Sequence, residues 1–121
     1  MAELFVAPRE LLEQGVRLLL EADGSEVGVL AHDGKLFAYE NRCVHQGGPV
    51  CEGLILGAAE RVLDETGADL GGRLDERRPR LICPWHGWEF DLATGRSVAY
   101  PQLGLRRFEL EDRDGDVYLR L

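Results

Sequence analysis

The sequence predicts an all-β, antiparallel protein, and three observations carry that expectation. Asp-Gly pairs at 23–24 and 33–34 separate short apolar runs, and such pairs specify tight hairpins because both residues tolerate positive φ. Near the C-terminus, Phe108, Leu110, Val117, Leu119 and Leu121 include the alternation of a sheet with one buried face. In the middle, glycines at 67, 71 and 72 stop any long helix from developing.

Taken in order, residues 4–6 read as a strand and 8–13 as a turn or brief helix ended by Gly15. Residues 16–21, 26–31 and 35–39 form a three-stranded meander whose two turns are the Asp-Gly pairs. His32 falls at the second turn and reads as a solvated turn residue. The least regular segment is 57–80, in which 58–65 reads as at most two helical turns. It mixes six acids and five arginines, as an exposed insertion or a partner-docking loop would. Residues 81–82 enter and 88–92 leave a turn-rich motif, closed by the turn Ala93-Thr94-Gly95-Arg96. Residues 105–111 and 117–121 make a last hairpin around Arg113-Asp114-Gly115-Asp116.

At 121 residues the chain is expected to be one domain, long enough to bury about two-thirds of the surface its unfolded form exposes. With 22 acidic and 14 basic residues its formal charge is −8. That balance disfavours nucleic acid and anionic membranes; it keeps a small protein soluble and favours a partner with a basic docking face. An acid, Glu3, stands where a signal peptide needs basic residues, the first apolar run stops at Pro8, and no run approaches bilayer length. The expected location is the cytoplasm. Of three cysteines, Cys51 has no evident partner, which suits a reducing compartment and a packing role.

Two segments carry the chemistry: Cys43-Val44-His45-Gln46-Gly47-Gly48-Pro49 and Cys83-Pro84-Trp85-His86-Gly87-Trp88, with 37 residues between His45 and Cys83. Each offers one thiolate and one imidazole on a turn where Gly and Pro permit a sharp reversal. Four such ligands suit either a Cys2His2 zinc site or an iron–sulfur cluster with mixed ligation. Zinc fingers usually place both cysteines in one hook and both histidines in the other, whereas here each hook is mixed.

That arrangement resembles the Rieske iron–sulfur family, with its pattern Cys-x-His, a variable gap, then Cys-x-x-His followed by Gly. The match is at Cys43, His45, Cys83, His86 and Gly87, with softer similarity through Trp88-Glu89-Phe90-Asp91. The resemblance implies a β-sandwich base with a smaller cluster-binding subdomain at about 43–91, and one [2Fe–2S] cluster per chain. It places Cys43 and Cys83 on one iron and His45 and His86 on the other. Pro101 resembles the proline of the loop that closes the cluster's third side.

Formally, two ferric ions, two sulfides and two thiolates cancel, so a mixed-ligand cluster accepts an electron more readily than a four-thiolate one. The family's window is roughly −150 to +300 mV. High-potential members carry hydroxyl donors where this chain has Trp88 and Phe90, and a bracing disulfide where it has Gly48 and Trp85. No disulfide and a potential near −150 mV, within about 100 mV, are expected.

A terminal oxygenase of this family also needs a mononuclear iron held by two further histidines and a carboxylate. The chain has three histidines in all, so it can carry electrons but not activate oxygen. The implied role is a ferredoxin passing single electrons from a reductase to a terminal oxygenase. Two other readings stay open: a tightly held Rieske subunit of a larger oxidoreductase, nitrite-reductase-like, and a zinc-stabilised binding module without redox function.

Overall fold

The computed structural model describes residues 2–121. Strands β2 (Leu18–Ala22), β3 (Ser25–His32) and β4 (Lys35–Glu40) form the expected meander. Asp23 and Asp33 take φ of 53° and 51°, each followed by a glycine at 76°, so both Asp-Gly turns have the backbone that makes a two-residue hairpin match strand twist.

A second sheet joins the two ends of the chain. Strand β1 (Glu3–Pro8) pairs antiparallel with β9 (Asp116–Arg120), which also pairs with β8 (Glu109–Arg113). Helix α1 (Arg9–Glu13) lies between β1 and the meander. The two sheets meet where Glu40 N–H donates to Arg106 O at 2.8 Å and Phe108 N–H donates to Ala38 O at 2.9 Å. Val27, Val29, Phe108, Val117, Leu119 and Leu12 of α1 close over one another between them, each contributing about 1.5–3 kcal/mol by leaving water.

The third sheet departs from the sequence reading. Residues 58–65 are not helical; they belong to β5 (Leu54–Leu63), which pairs along its length with β6 (Asp69–Ile82), and β6 pairs with the short β7 (Glu89–Asp91). Two helical turns are too short to be stable alone, whereas this hairpin satisfies the backbone of both strands. Cross-strand ion pairs favour it too: Arg73 with Glu60 at 2.8 Å, and Arg78 bridging Glu60 at 2.7 Å and Asp75 at 3.0 Å. Arg77 and Arg78 hold the Asp75 carboxyl far below its ordinary range. At the tip, the Asp64 carboxylate accepts from Thr66 N–H, the Thr66 hydroxyl and Ala68 N–H, fixing the turn.

The hairpin begins where Leu54 pairs with Ile82, one residue before Cys83 and shortly after the first hook. Gly53 there lies against the Ile82 carbonyl, and an added Cβ would sit 1.7 Å from that oxygen. Gly53→Ala is therefore expected to destabilise the fold by about 1–3 kcal/mol. Gly72→Ala, whose methyl meets nothing closer than 3.5 Å, should be nearly neutral. Thermal unfolding of the two variants checks this, and equal midpoints would contradict it.

Candidate metal centre

The first hook leaves β4 and turns back on itself. Cys43 N–H donates to Gly48 O and Gly47 N–H to Cys43 O, both at 2.8 Å, before a 3-10 turn over Val50–Glu52 leads into β5. The Gly47 N–H is thus committed to the Cys43 carbonyl. The second hook is closed by Cys83 N–H donating to Trp88 O at 2.8 Å. His86 and Gly87 take φ of 65° and 70°. For a non-glycine residue that left-handed conformation costs roughly 1–2 kcal/mol, and such outliers persist where surrounding structure holds a side chain for use.

The four predicted residues fall into two pairs. Cys43 and Cys83 are buried at 2% and 1% exposure, and their thiols are close enough for Cys43 to help raise the Cys83 thiol. His45 and His86 are both exposed, with ring centroids 5.3 Å apart and planes at 87°. Burial pushes the Cys83 thiol up, while the nearby Trp85 backbone N–H opposes that shift. Gly48 makes room for this sulfur: a Cβ there would lie 2.9 Å from Cys83 Sγ. A thiol pair inside and an imidazole pair outside fit two metals with two protein ligands each, which is the demand of a [2Fe–2S] cluster with mixed ligation.

Several supporting residues carried no clear sequence signal. The Trp88 ring stacks on His45 at 4.6 Å and 15°, and Tyr100 stacks on Trp88 at 5.5 Å, so the loop containing Pro101 closes over the hooks through aromatic contact. Asn41, 8% exposed, accepts from Cys51 N–H at 2.8 Å and donates to Glu26 and Glu52. The Arg17 guanidinium donates to Cys51 O at 2.9 Å and to Gly53 O, clamping the exit of the first hook to the base. Alternation and motif spacing are blind to such contacts, because each joins residues far apart in the chain.

Cys51 packs behind the first hook, as expected. Its Sγ donates to Tyr39 O at 3.4 Å, and the Gly28 backbone lies so close that a Cβ there would be 2.3 Å from Cys51 Cβ. His32 ends β3, partly buried, where it pairs with Lys35 across the second Asp-Gly turn and away from both hooks.

Fold and site together define an antiparallel β scaffold that brings a buried cysteine pair and an exposed histidine pair onto two adjoining hooks. The Rieske [2Fe-2S] domain family matches residues 2–109, and the chain belongs to that family. It is 25% identical over 120 residues to the 3-phenylpropionate/cinnamic acid dioxygenase ferredoxin subunit of Photorhabdus laumondii, covering 98% of this chain and 94% of that one. A human Rieske domain-containing protein is 32% identical over 87 residues, 72% of this chain, which spans only 45% of that relative's length. Among solved structures, the ferredoxin of carbazole 1,9a-dioxygenase from Nocardioides aromaticivorans shares the fold with a TM-score of 0.67 at 22% identity, covering 98% and 97% of the two chains. A putative NADH-dependent nitrite reductase small subunit from Mycobacterium tuberculosis does so at 0.70 and 17%, covering 99% and 96%. The family's resident group is a Rieske [2Fe–2S] cluster.

Two outcomes test the site. Burial pushes the Cys51 thiol from an ordinary 9.0 up to about 12. Its contribution to stability should be complete below about pH 9 and be lost as pH rises toward 12, since the unfolded thiol ionises first. Native Cys51 should therefore resist iodoacetamide at pH 8, and rapid alkylation of folded protein would contradict its placement. Gly48→Ala should displace the Cys83 sulfur and lower iron and acid-labile sulfide per chain; full occupancy would show that the hook tolerates the methyl.

Proposed function

We propose that the protein is a single-domain Rieske-type ferredoxin of the cytoplasm, with a cluster-binding subdomain at about 43–91, passing one electron at a time from a reductase to a terminal oxygenase. In this reading Cys43 and Cys83 hold the inner iron and His45 and His86 the outer one. The observation that carries it is the sorting of donors by burial: both thiols lie in the core and both imidazoles on the surface. An electron needs a short path to a partner, and the exposed rings supply it.

When bound, the cluster supplies reversible one-electron chemistry within the family's potential window. The chain does the rest. The core around the thiols, with Leu81, Phe90 and Leu92 at 0% exposure, keeps water from the sulfur side. Trp88 fixes the His45 plane, and the left-handed turn at His86 and Gly87 sets the second ring across it. Neither Trp88 nor Phe90 has a hydroxyl to donate to a cluster sulfur, which leaves reduction unassisted there and keeps the potential low. Of the described residues, no helix is long and apolar enough to cross a membrane. The unpaired, buried Cys51 suits the reducing cytoplasm.

The dioxygenase ferredoxin relative, matched end to end, supports the ferredoxin role, and solved complexes of an oxygenase with a ferredoxin of this fold support the partner class. Purified protein should contain two irons and two acid-labile sulfides per chain, and a redox titration should give a midpoint near −150 mV, within about 100 mV. Cys43→Ser and Cys83→Ser should each abolish assembly. Phe90→Tyr should raise the potential by tens of millivolts through a hydroxyl to a ligand sulfur. A colourless protein with one zinc per chain would overturn the proposal, and an unshifted potential in loaded Phe90→Tyr would remove the account of the low potential.

A further inference from the structure

We propose that this chain meets its redox partner through an apolar, charge-balanced collar around the two imidazoles, and that its acidic excess lies in the segments that build the two-sheet base. The inference rests on the proposed electron-carrier role and specifies the partner's surface. Net charge alone pointed to a basic partner face; the distribution of that charge does not. Residues 2–40 and 108–121, which build the two-sheet base, hold 13 acids against 5 bases, while residues 41–107, with both hooks, the long hairpin and the closing loop, hold nine of each. The whole formal charge of −8 therefore belongs to the base. At physiological salt a surface charge is screened within about 8 Å, so a docking partner feels the groups beside the imidazoles first.

Most of the large exposed side chains there are apolar. Trp85, next to His86, is 51% exposed; Val44, next to His45, is 39% exposed; Val98 and Tyr100, in the closing loop, are 41% and 49% exposed. Trp88 connects the two sides, stacked between His45 and Tyr100. Trp88 and Tyr100, with Val98, Ala99 and one acid, Glu89, border a groove of about 310 Å³ beside the second hook. Clustered exposed apolar side chains of this kind mark interaction sites, and aromatic residues are enriched at the cores of protein interfaces. On the His45 side, a second groove is lined by Arg42, Arg106 and Glu40, and Arg106 is paired with Asp23 at 2.7 Å. Charge complementarity then selects a protein partner whose contact face is apolar, with any charged rim acidic opposite Arg42.

Outer-sphere oxidants probe this face in the reduced, cluster-loaded protein. Each takes one electron without making or breaking a bond: anionic hexacyanoferrate(III) becomes hexacyanoferrate(II), and cationic, apolar tris(phenanthroline)cobalt(III) becomes cobalt(II). Between about 20 and 500 mM ionic strength both rates should change by less than about threefold. If the acidic excess governed the exit, hexacyanoferrate would speed up and the cobalt complex slow down by an order of magnitude or more, overturning the proposal. Trp85→Ser should slow the cobalt complex several-fold and leave hexacyanoferrate nearly unchanged, and equal effects on both would remove the apolar contact. A readout independent of electron transfer is the emission lost in Trp85→Phe, which iodide and caesium should quench alike; quenching by caesium alone would overturn the charge balance. A dimer in sedimentation that Trp85→Ser dissolves would show a second copy covering the collar, against the proposal. Failure of the electron-carrier role looks different: no reducible cluster forms, while quenching and sedimentation still report on the collar.

Discussion

The pairing of Leu54 with Ile82 is the contact on which the rest depends. It is the first rung of the β5–β6 hairpin, and it fixes the two hooks side by side although 37 residues separate His45 from Cys83. Closing a loop of that length costs chain entropy that grows only slowly with length, and the rungs beyond it offset the cost. Gly53 permits the close approach, while Arg17 and Asn41 hold the same junction from the base. The hairpin that least resembles a functional element is thus what assembles the site.

Once the hooks are adjacent, the core sorts their side chains. The thiols sit with Leu81, Phe90 and Leu92, and the imidazoles lie outside that core. A thiolate in such surroundings is costly unless a cation accompanies it, so this end of the fold is built to hold metal. Paired donors divided between interior and surface suit two metals in unequal settings, one sheltered and one facing partners. The aromatic series from Tyr100 through Trp88 to His45 ties the closing loop to that outer side.

How much of this was legible from sequence follows from where the determining interactions lie. The Asp-Gly turns of the meander are local, because two residues at positive φ decide them, and they occur where expected. The hooks were legible for the same reason: Cys43 with His45 and Cys83 with His86 are ligand spacings within single turns. The segment 58–65 was misread as helical because its strand character comes from β6, through partners such as Arg73 and Arg78 that helix propensity does not see. Pairing of the two chain ends in β1 and β9, and the reach of Arg17 to Cys51 O, were equally out of view. The sum of charge over the chain likewise says nothing of which segments carry it, and the acidic excess falls in residues 2–40 and 108–121.

In the proposed arrangement, sulfur and nitrogen donors hold separate irons of one cluster. Pulsed electron paramagnetic resonance of the dithionite-reduced protein tests it most directly. One reduced [2Fe–2S] signal per chain is expected, with strong couplings to two imidazole nitrogens, both lost when His45 and His86 are replaced together. A reduced cluster lacking strongly coupled nitrogen, or a protein without signal that carries a single zinc, would contradict it.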